Sequence, residues 1–338
     1  MTLTQRGVPG GPTHYTPHPP PGLDLRVQAE VAAALADGRP VVALETTLVS
    51  HGFSAGRGLA AAKESENRVR AAGAVPATVG VVDGQLRVGL DASELDRFAE
   101  AGTDARKVGA RDLAACVVQG ALGSTTVGGT LAVCRLAGIS FMATGGIGGV
   151  HRGFATSLDI SADLLQIART RALVVCSGAK SILDVPATSE LLETLAVPVL
   201  GWRTPTLPLF YTADGGPPVS AVVSSGEEVA KVASTHWGVN PSGGLLLGRP
   251  PVDGGFLGRP AAPPAHPGQR GGLDLEELIE DAVRQVSEAG VTGQAVTPAV
   301  LTLIEELSDG RSVDVNRRLI ADNAGLAAEI AVAYAALD

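Results

Sequence analysis

The residues best placed to do chemistry in this chain stand at the ends of apolar runs. Leu173-Val174-Val175-Cys176 is followed by Ser177-Gly178-Ala179 and then by Lys180. An ammonium seldom sits at the end of a buried strand unless something there uses it. The alternative is a lysine that opens the next loop and points into water. "PVVALE" ends in an acid, Glu45, in the same way. A third run, "ISFMA", leads into "TGGIGGVHRG", residues 144–153. Glycines let backbone N–H groups approach an anion closely, and Thr144, His151 and Arg152 add donors beside them. The stretch lacks the Gly-Lys-Ser/Thr ending of a P-loop and makes no convincing G-x-G-x-x-G fingerprint, so a tight strand-to-loop turn is its other reading. "SLDISADLL" follows, with Asp159 and Asp163 four residues apart. If a helix starts here, Ser161 is its N-cap and Asp163 lies in its first turn. Asp159 precedes the cap, where one carboxylate with water could hold a hard cation.

These residues need a frame, and the pattern supplies one. From Leu25 a helix-like stretch leads into the strand ending near Glu45. "GLAAAKESENRVRAAG" has helical periodicity and a Gly stop. "ATVGVVDGQLRVGL" reads as a hairpin around Asp83-Gly84. "TTVGGTLAVCRLAG", "SADLLQIART", "TSELLETLA" and "SGEEVAKVASTHWG" read as helices, alternating with strands at "ISFMATGGIGG", "ALVVCSGA", "VPVLGW" and "GGLLLGRP". Three more helical stretches follow at roughly 273–289, 297–308 and 315–336. The alternation predicts an α/β fold: a three-layer α/β/α arrangement with a mostly parallel central sheet plus a small β-hairpin. Ligands of such sheets bind beyond the carboxyl ends of the strands. Glu45, the glycine run and Lys180 all fall there, and together they favour a site.

Residues 1–23 are rich in Pro and Gly and are expected to form a disordered tail, leaving 24–338 as a single domain. Within it, 249–271 is a Pro/Gly-rich stretch too long for a simple connection, expected as a flexible loop insertion. The chain is 45% hydrophobic, enough for a large core, and with aromatics at only 3% that core must be filled by Ala, Val, Leu and Gly. A net charge of −9 disfavours nucleic acid and anionic membranes as partners, but leaves room for a small anion in a locally basic cleft. Cys116, Cys134 and Cys176 lie in apolar contexts without C-x-x-C pairing and read as reduced core thiols. No apolar run reaches membrane-spanning length, and the expected setting is the cytoplasm.

"ALETTLVSHGF", "GAVPATVGVVDGQLRVGL", "KVGARDL", "TTVGGT", "ATGGIGGVHRG", "DISADL" and "CSGAKSILD" together resemble the successive signatures of the pseudouridine-5′-phosphate glycosidase family, which includes the indigoidine synthase A proteins. The resemblance runs from about Arg39 to Tyr334. It implies reversible cleavage of pseudouridine 5′-phosphate to uracil and ribose 5-phosphate by a homotrimer that uses one divalent cation per subunit, typically Mn²⁺. Carried over motif by motif, it makes Glu45 the general acid, Lys180 the Schiff-base nucleophile and Asp159 the metal ligand. Lys107, Val127 and Ser161-Ala162-Asp163 would contact substrate, with Thr144 and His151 lining the same pocket.

The chemistry implied explains these residue types. Ordinary glycosidases protonate a heteroatom leaving group with one of two carboxylates. Pseudouridine joins C1′ of the sugar to C5 of uracil, so no such group is available. A neutral lysine amine can instead attack C1′ after the ring opens, and a partly dry setting favours the neutral form. The sequence departs from the family where Glu45-Thr46-Thr47 replaces Glu-Ser-Thr. Arg249 precedes Pro250 where the family tends to have Asn-Pro, and Asp322-Asn323 replaces Asn-Asn. Two other functions share the same features: a different Schiff-base lyase or aldolase acting on a sugar phosphate, and a non-catalytic sugar-phosphate or nucleotide binder.

Overall fold

A computed structural model describes residues 23–337 except 54–55, 181, 214, 252–274, 292–295 and 309. The expected tail lies outside the described residues except for Leu23, which packs on the core. The expected 249–271 loop is described only as far as residue 251.

Eleven strands form one sheet among the described residues: β1 (Leu25–Val27), β2 (Val41–Glu45), β3 (Val75–Val82), β4 (Gln85–Val88), β5 (Arg106–Val108), β6 (Gly123–Thr125), β7 (Phe141–Ala143), β8 (Leu173–Cys176), β9 (Val199–Trp202), β10 (Ala221–Val223) and β11 (Leu245–Gly248). The main path runs β1-β4-β3-β2-β7-β8-β11-β9-β10. From β3 through β10 every neighbouring pair is parallel. β4 runs antiparallel to β3 through a two-residue turn. Asp83 and Gly84 both have positive φ there, as the type I′ turn of a two-residue hairpin requires. β6 pairs antiparallel with β3 and carries β5 outside the main path.

Alternation along the strands divides the core in two. Val41, Ala43, Val174, Cys176 and Leu246 face one cluster, and Val42, Leu44, Leu173, Val175, Leu245 and Leu247 face the other. The first face is covered by α1 (Ala29–Ala36), α6 (Val127–Ala137), α8 (Ala162–Ala168), α9 (Val185–Thr194), α11 (Leu275–Glu288) and α12 (Val296–Leu307). The second is covered by α3 (Arg57–Ala71), α10 (Gly226–Val239) and α13 (Arg311–Ala335). Short helices α2 (Thr47–His51), α4 (Ala92–Ala101), α5 (Leu113–Val118) and α7 (Phe154–Ser157) complete the set. The strands are apolar on both faces because both are buried, as parallel sheets demand.

Three local readings change. The stretch from Leu25 begins as a strand, because β4 has a free edge that Leu25–Val27 pairs in parallel. The helix expected over "TTVGGTLAVCRLAG" starts only at Val127: Thr125 ends β6, and the Thr126 hydroxyl accepts from the Gly129 N–H as an N-cap. The last helix starts at Arg311 rather than near 315.

Candidate active site

Glu45 is the last residue of β2, and the two threonines after it are splices. Beyond Glu45, β3 continues without β2 beside it, and β6 takes over the edge at Gly80 and Val81. The Thr46 hydroxyl donates to the Val79 carbonyl at 2.8 Å and accepts from the Thr125 N–H at 2.8 Å. Thr47 donates to the Thr125 carbonyl at 2.7 Å. Two hydroxyls thus join three strands and fix the chain on either side of the acid. The splice also places Lys107, since β5 pairs with β6 in the register Lys107↔Ser124.

Lys180 is held by a continuation of the β7–β8 ladder past both strand ends. Ser177 N–H donates to Gly145, Ile147 N–H to Gly178, and Lys180 N–H to Ile147, at 2.9, 3.1 and 3.2 Å. The glycine run is therefore zipped along the segment that ends in the lysine. Gly178 sits at φ +89, and a Cβ there would collide with the Pro208 carbonyl, so only glycine allows this path. The Leu183 N–H donates to the Lys180 carbonyl just ahead of α9, which Asp184 caps.

Asp163 locks the glycine run from the other side. One carboxylate oxygen accepts from Gly128 N–H at 2.8 Å, in the first turn of α6, and the other from Gly148 N–H at 3.0 Å. Ser161 caps α8, as its position before the helix foretold, and it also lies against Gly148. Ala162 is exposed at the start of α8. The Val127 side chain is 1% exposed, so only its backbone at the α6 N-terminus can reach a ligand.

The electrostatics gather these groups into one place. Burial pushes the Glu45 carboxyl above the ordinary carboxylate range, while Lys180, the Thr144 hydroxyl and Lys107 pull it partly back. Thr144 donates its hydroxyl directly to the Glu45 carboxylate. Burial and the Lys180 charge push Lys107 down to about 8, against the opposing pull of Asp163, Glu45 and Asp159. His151 is lowered by burial, with Asp159 opposing the shift and both lysines reinforcing it. Its Nδ1 lies 3.8 Å from Asp159. Glu45, Lys107, Thr144, His151, Asp159, Asp163 and Lys180 therefore form a single cluster at the strand ends. A separate cavity of about 590 Å³ opens behind Leu183 and Arg152; its lining includes none of Glu45, Lys107 and Lys180.

Among the described residues no group of three or more His, Cys, Asp or Glu side chains could hold a metal together. Asp159, partly exposed beside His151, offers one carboxylate. That donor set fits a hard cation that keeps most of its waters, and it does not fit a protein-enclosed cage.

Two side chains of this neighbourhood escaped the sequence reading. Burial lowers the pKa of His51, one helical turn after Thr47 on α2, the charge of nearby Lys107 adds to the shift, and its buried Nδ1 has no partner. Asn316 on α13 is 6% exposed, with an unpartnered Oδ1 beside Gly145. The only available signal was an asparagine on the apolar face of a long helix.

Sheet, acid and paired lysines define an α/β enzyme with its site at the carboxyl ends of parallel strands. Residues 30–333 match the family described as Indigoidine synthase A like protein. A pseudouridine-5′-phosphate glycosidase of Salinispora tropica is 48% identical over 315 residues, covering 92% of each chain. That of Chloroflexus aurantiacus is 44% identical over 315 residues, 91% of this chain and 98% of the other. Among solved structures, the prealnumycin C-glycosynthase AlnA in complex with ribulose 5-phosphate superposes with a TM-score of 0.79 at 39% identity, covering 94% and 98%. An indigoidine synthase A-like protein from Thermotoga maritima gives 0.76 at 32% identity, covering 92% and 96%. The chain belongs to the indigoidine synthase A-like, or pseudouridine-5′-phosphate glycosidase, family.

Proposed function

We propose that this protein reversibly cleaves the C1′–C5 bond of pseudouridine 5′-phosphate, giving uracil and ribose 5-phosphate. The observation that carries the reading is the convergence of Glu45, Lys107 and Lys180 on one partly buried rim, in a chain 40–48% identical to glycosidases of that name. Glu45, whose carboxyl burial pushes above the ordinary carboxylate range, donates a proton to the ring oxygen as the C1′–O bond opens. The Lys180 amine bonds to C1′ through its nitrogen lone pair and gives up a proton. The C1′–C5 bond then breaks, its electron pair staying with the uracil, which takes a proton at C5. C1′ is left as an imine of Lys180, and water releases ribose 5-phosphate. Lys107, Ser161 and the backbone of the glycine-rich turn, apart from the Ile147 and Gly148 N–H groups already given to Gly178 and Asp163, are the phosphate-binding set, since they present charge or dipole to a dianion.

Asp159 would hold a divalent cation, Mn²⁺ in the family reading, through one carboxylate and water. The cation would supply positive charge near the phosphate. We place the working unit as a homotrimer on the same family grounds, and in the cytoplasm on the reading of its cysteines as reduced core thiols. No described helix is long and apolar enough to cross a membrane.

The purified protein incubated with uracil, ribose 5-phosphate and Mn²⁺ should form pseudouridine 5′-phosphate, detected by chromatography and mass. A reaction indifferent to uracil would point to an aldolase-type lyase, and binding of ribose 5-phosphate without turnover would point to a binding protein.

A further inference from the structure

We propose that Asn323 is a positioning residue that holds the acid and the lysine in register across the ends of β7 and β8. Its side chain is 0% exposed, on the face of α13 laid against the sheet. The amide nitrogen donates to two groups at once: the Thr144 carbonyl at 2.9 Å and the Ser177 hydroxyl at 3.0 Å. Thr144 is the residue bonded to Glu45 through its hydroxyl. Ser177 is the residue at which the segment ending in Lys180 begins to zip onto the glycine run. One amide therefore ties the acid's partner to the root of the lysine's turn.

The cost of this arrangement argues that the clamp matters. Asn323 Oδ1 is buried with no partner, which is unfavourable. Turning the amide over does not help, because the Thr144 carbonyl can only accept and must face the nitrogen. The rest of this stretch of α13 is Ile320, Ala324, Ala327 and Ala328, all buried and apolar. A leucine would suit such a face, but would leave the Thr144 carbonyl unpaired and the two strand ends untied. The asparagine is explained by what its nitrogen holds.

The functional meaning of this clamp rests on the roles proposed above for Glu45 and Lys180, so its test includes a readout that needs no substrate. The Glu45 carboxyl is titrated by NMR in ¹³C-glutamate-labelled protein, with Glu45→Gln identifying the signal. In Asn323→Leu, loss of the tether loosens the Thr144 bond that favours the carboxylate and lets Lys180 drift, while Lys107 and Asp163 stay in place. Both changes raise the titration midpoint, by roughly half a unit or more. In a Thr144→Val background the same substitution should give a smaller shift, the part that comes from Lys180 alone, because the Thr144 bond is already gone. Turnover should fall about tenfold or more, with KM changed far less. Asn323→Ser, smaller and still a donor, gives the same readouts with a milder effect, and replaces the leucine variant if that fails to fold. A Glu45 titration unmoved in a folded Asn323 variant overturns the proposal, even if melting temperature drops. Equal, additive shifts in the two backgrounds overturn it as well. A wild-type protein that cleaves no pseudouridine 5′-phosphate would refute the proposed function, and the titration would still decide the role of Asn323.

Discussion

Arg249 and Asp322 are bonded to each other, guanidinium Nη2 to carboxylate Oδ2, at 3.2 Å. They occupy two positions at which the family resemblance leads one to expect asparagine, and in this chain the two side chains are paired with each other. Arg249 follows β11, its N–H bonded to the Cys176 carbonyl, and Asp322 lies on α13 beside Asn323. The pair therefore pins α13 across the ends of β8 and β11, next to the clamp on Thr144 and Ser177.

That pairing predicts an asymmetric response. Asp322→Asn strands the arginine, whose Nη1 already lacks a partner and whose side chain is 14% exposed. Arg249→Asn leaves Asp322 with Arg68 at 3.7 Å. The first should cost about 2–3 kcal/mol in denaturant unfolding and the second about 1 kcal/mol, since a lone buried charge is the expensive remnant. The double variant should recover most of the loss. Strictly additive losses would show that the two residues are not coupled.

Lys107 gives the pH dependence a sign. Its amine is pushed down to about 8, so in free enzyme it is charged below that pH and neutral above it. A phosphate dianion needs the charge, so kcat/KM should decline as pH rises through about 8, with kcat less affected once substrate is bound. Removing the phosphate from the substrate should cost at least about tenfold in kcat/KM, the worth of one charge-assisted hydrogen bond. Lys107→Arg should abolish the alkaline decline. A profile unchanged by that substitution would assign the limb to another group.

Much of this site was legible in the sequence, for a simple physical reason. Parallel strands buried on both faces appear as continuous apolar runs, so the polar residue that ends each run marks the rim. Glu45, Thr144 and Lys180 were found that way. Ser161 as an N-cap was equally local. What stayed hidden depends on contacts between distant segments. β5 and β6 are three residues each, too short for periodicity; β6 is set on β3 by pairing at Gly80 and Val81 and by the Thr46 and Thr47 hydroxyls, and β5 pairs with β6. Lys107 thus came only from the family resemblance. The same holds for Asp163: its place in a helical first turn was readable, but its grip on Gly128 and Gly148 was not. Asn323 stood out only through the family resemblance, and its hold on Thr144 and Ser177 was not readable.

The proposed cation site is weak by construction, which makes it testable. One carboxylate with water releases a divalent ion readily, so chelation should abolish turnover and Mn²⁺ should restore it. Asp159→Asn should raise the Mn²⁺ concentration needed for half-maximal rate by about tenfold or more. Full turnover in excess chelator would remove the assignment.

Covalent catalysis separates Lys180 from every other amine in the protein. Borohydride added with ribose 5-phosphate should reduce an imine and fix the sugar to the peptide that contains Lys180, readable by mass spectrometry. Lys180→Ala should lose label and turnover while remaining folded, because the side chain stands on the rim and not in the packed core. Glu45→Ala removes the proton donor and spares the amine, so turnover should fall about 10²-fold or more while slow labelling persists. Lys107→Ala controls for indiscriminate reaction: it lies in the same cluster, and it should weaken sugar binding yet still allow the adduct at saturating ribose 5-phosphate. The ring-opened aldehyde form of the sugar reacts with whichever amine the pocket aims at C1′. The zipped ladder from Ser177 to Lys180 holds that amine by its backbone, whereas Lys107 projects from the separate β5–β6 element. Label on Lys107 with Lys180 spared would exchange the two roles, and normal turnover in Lys180→Ala with no label anywhere would end the imine mechanism.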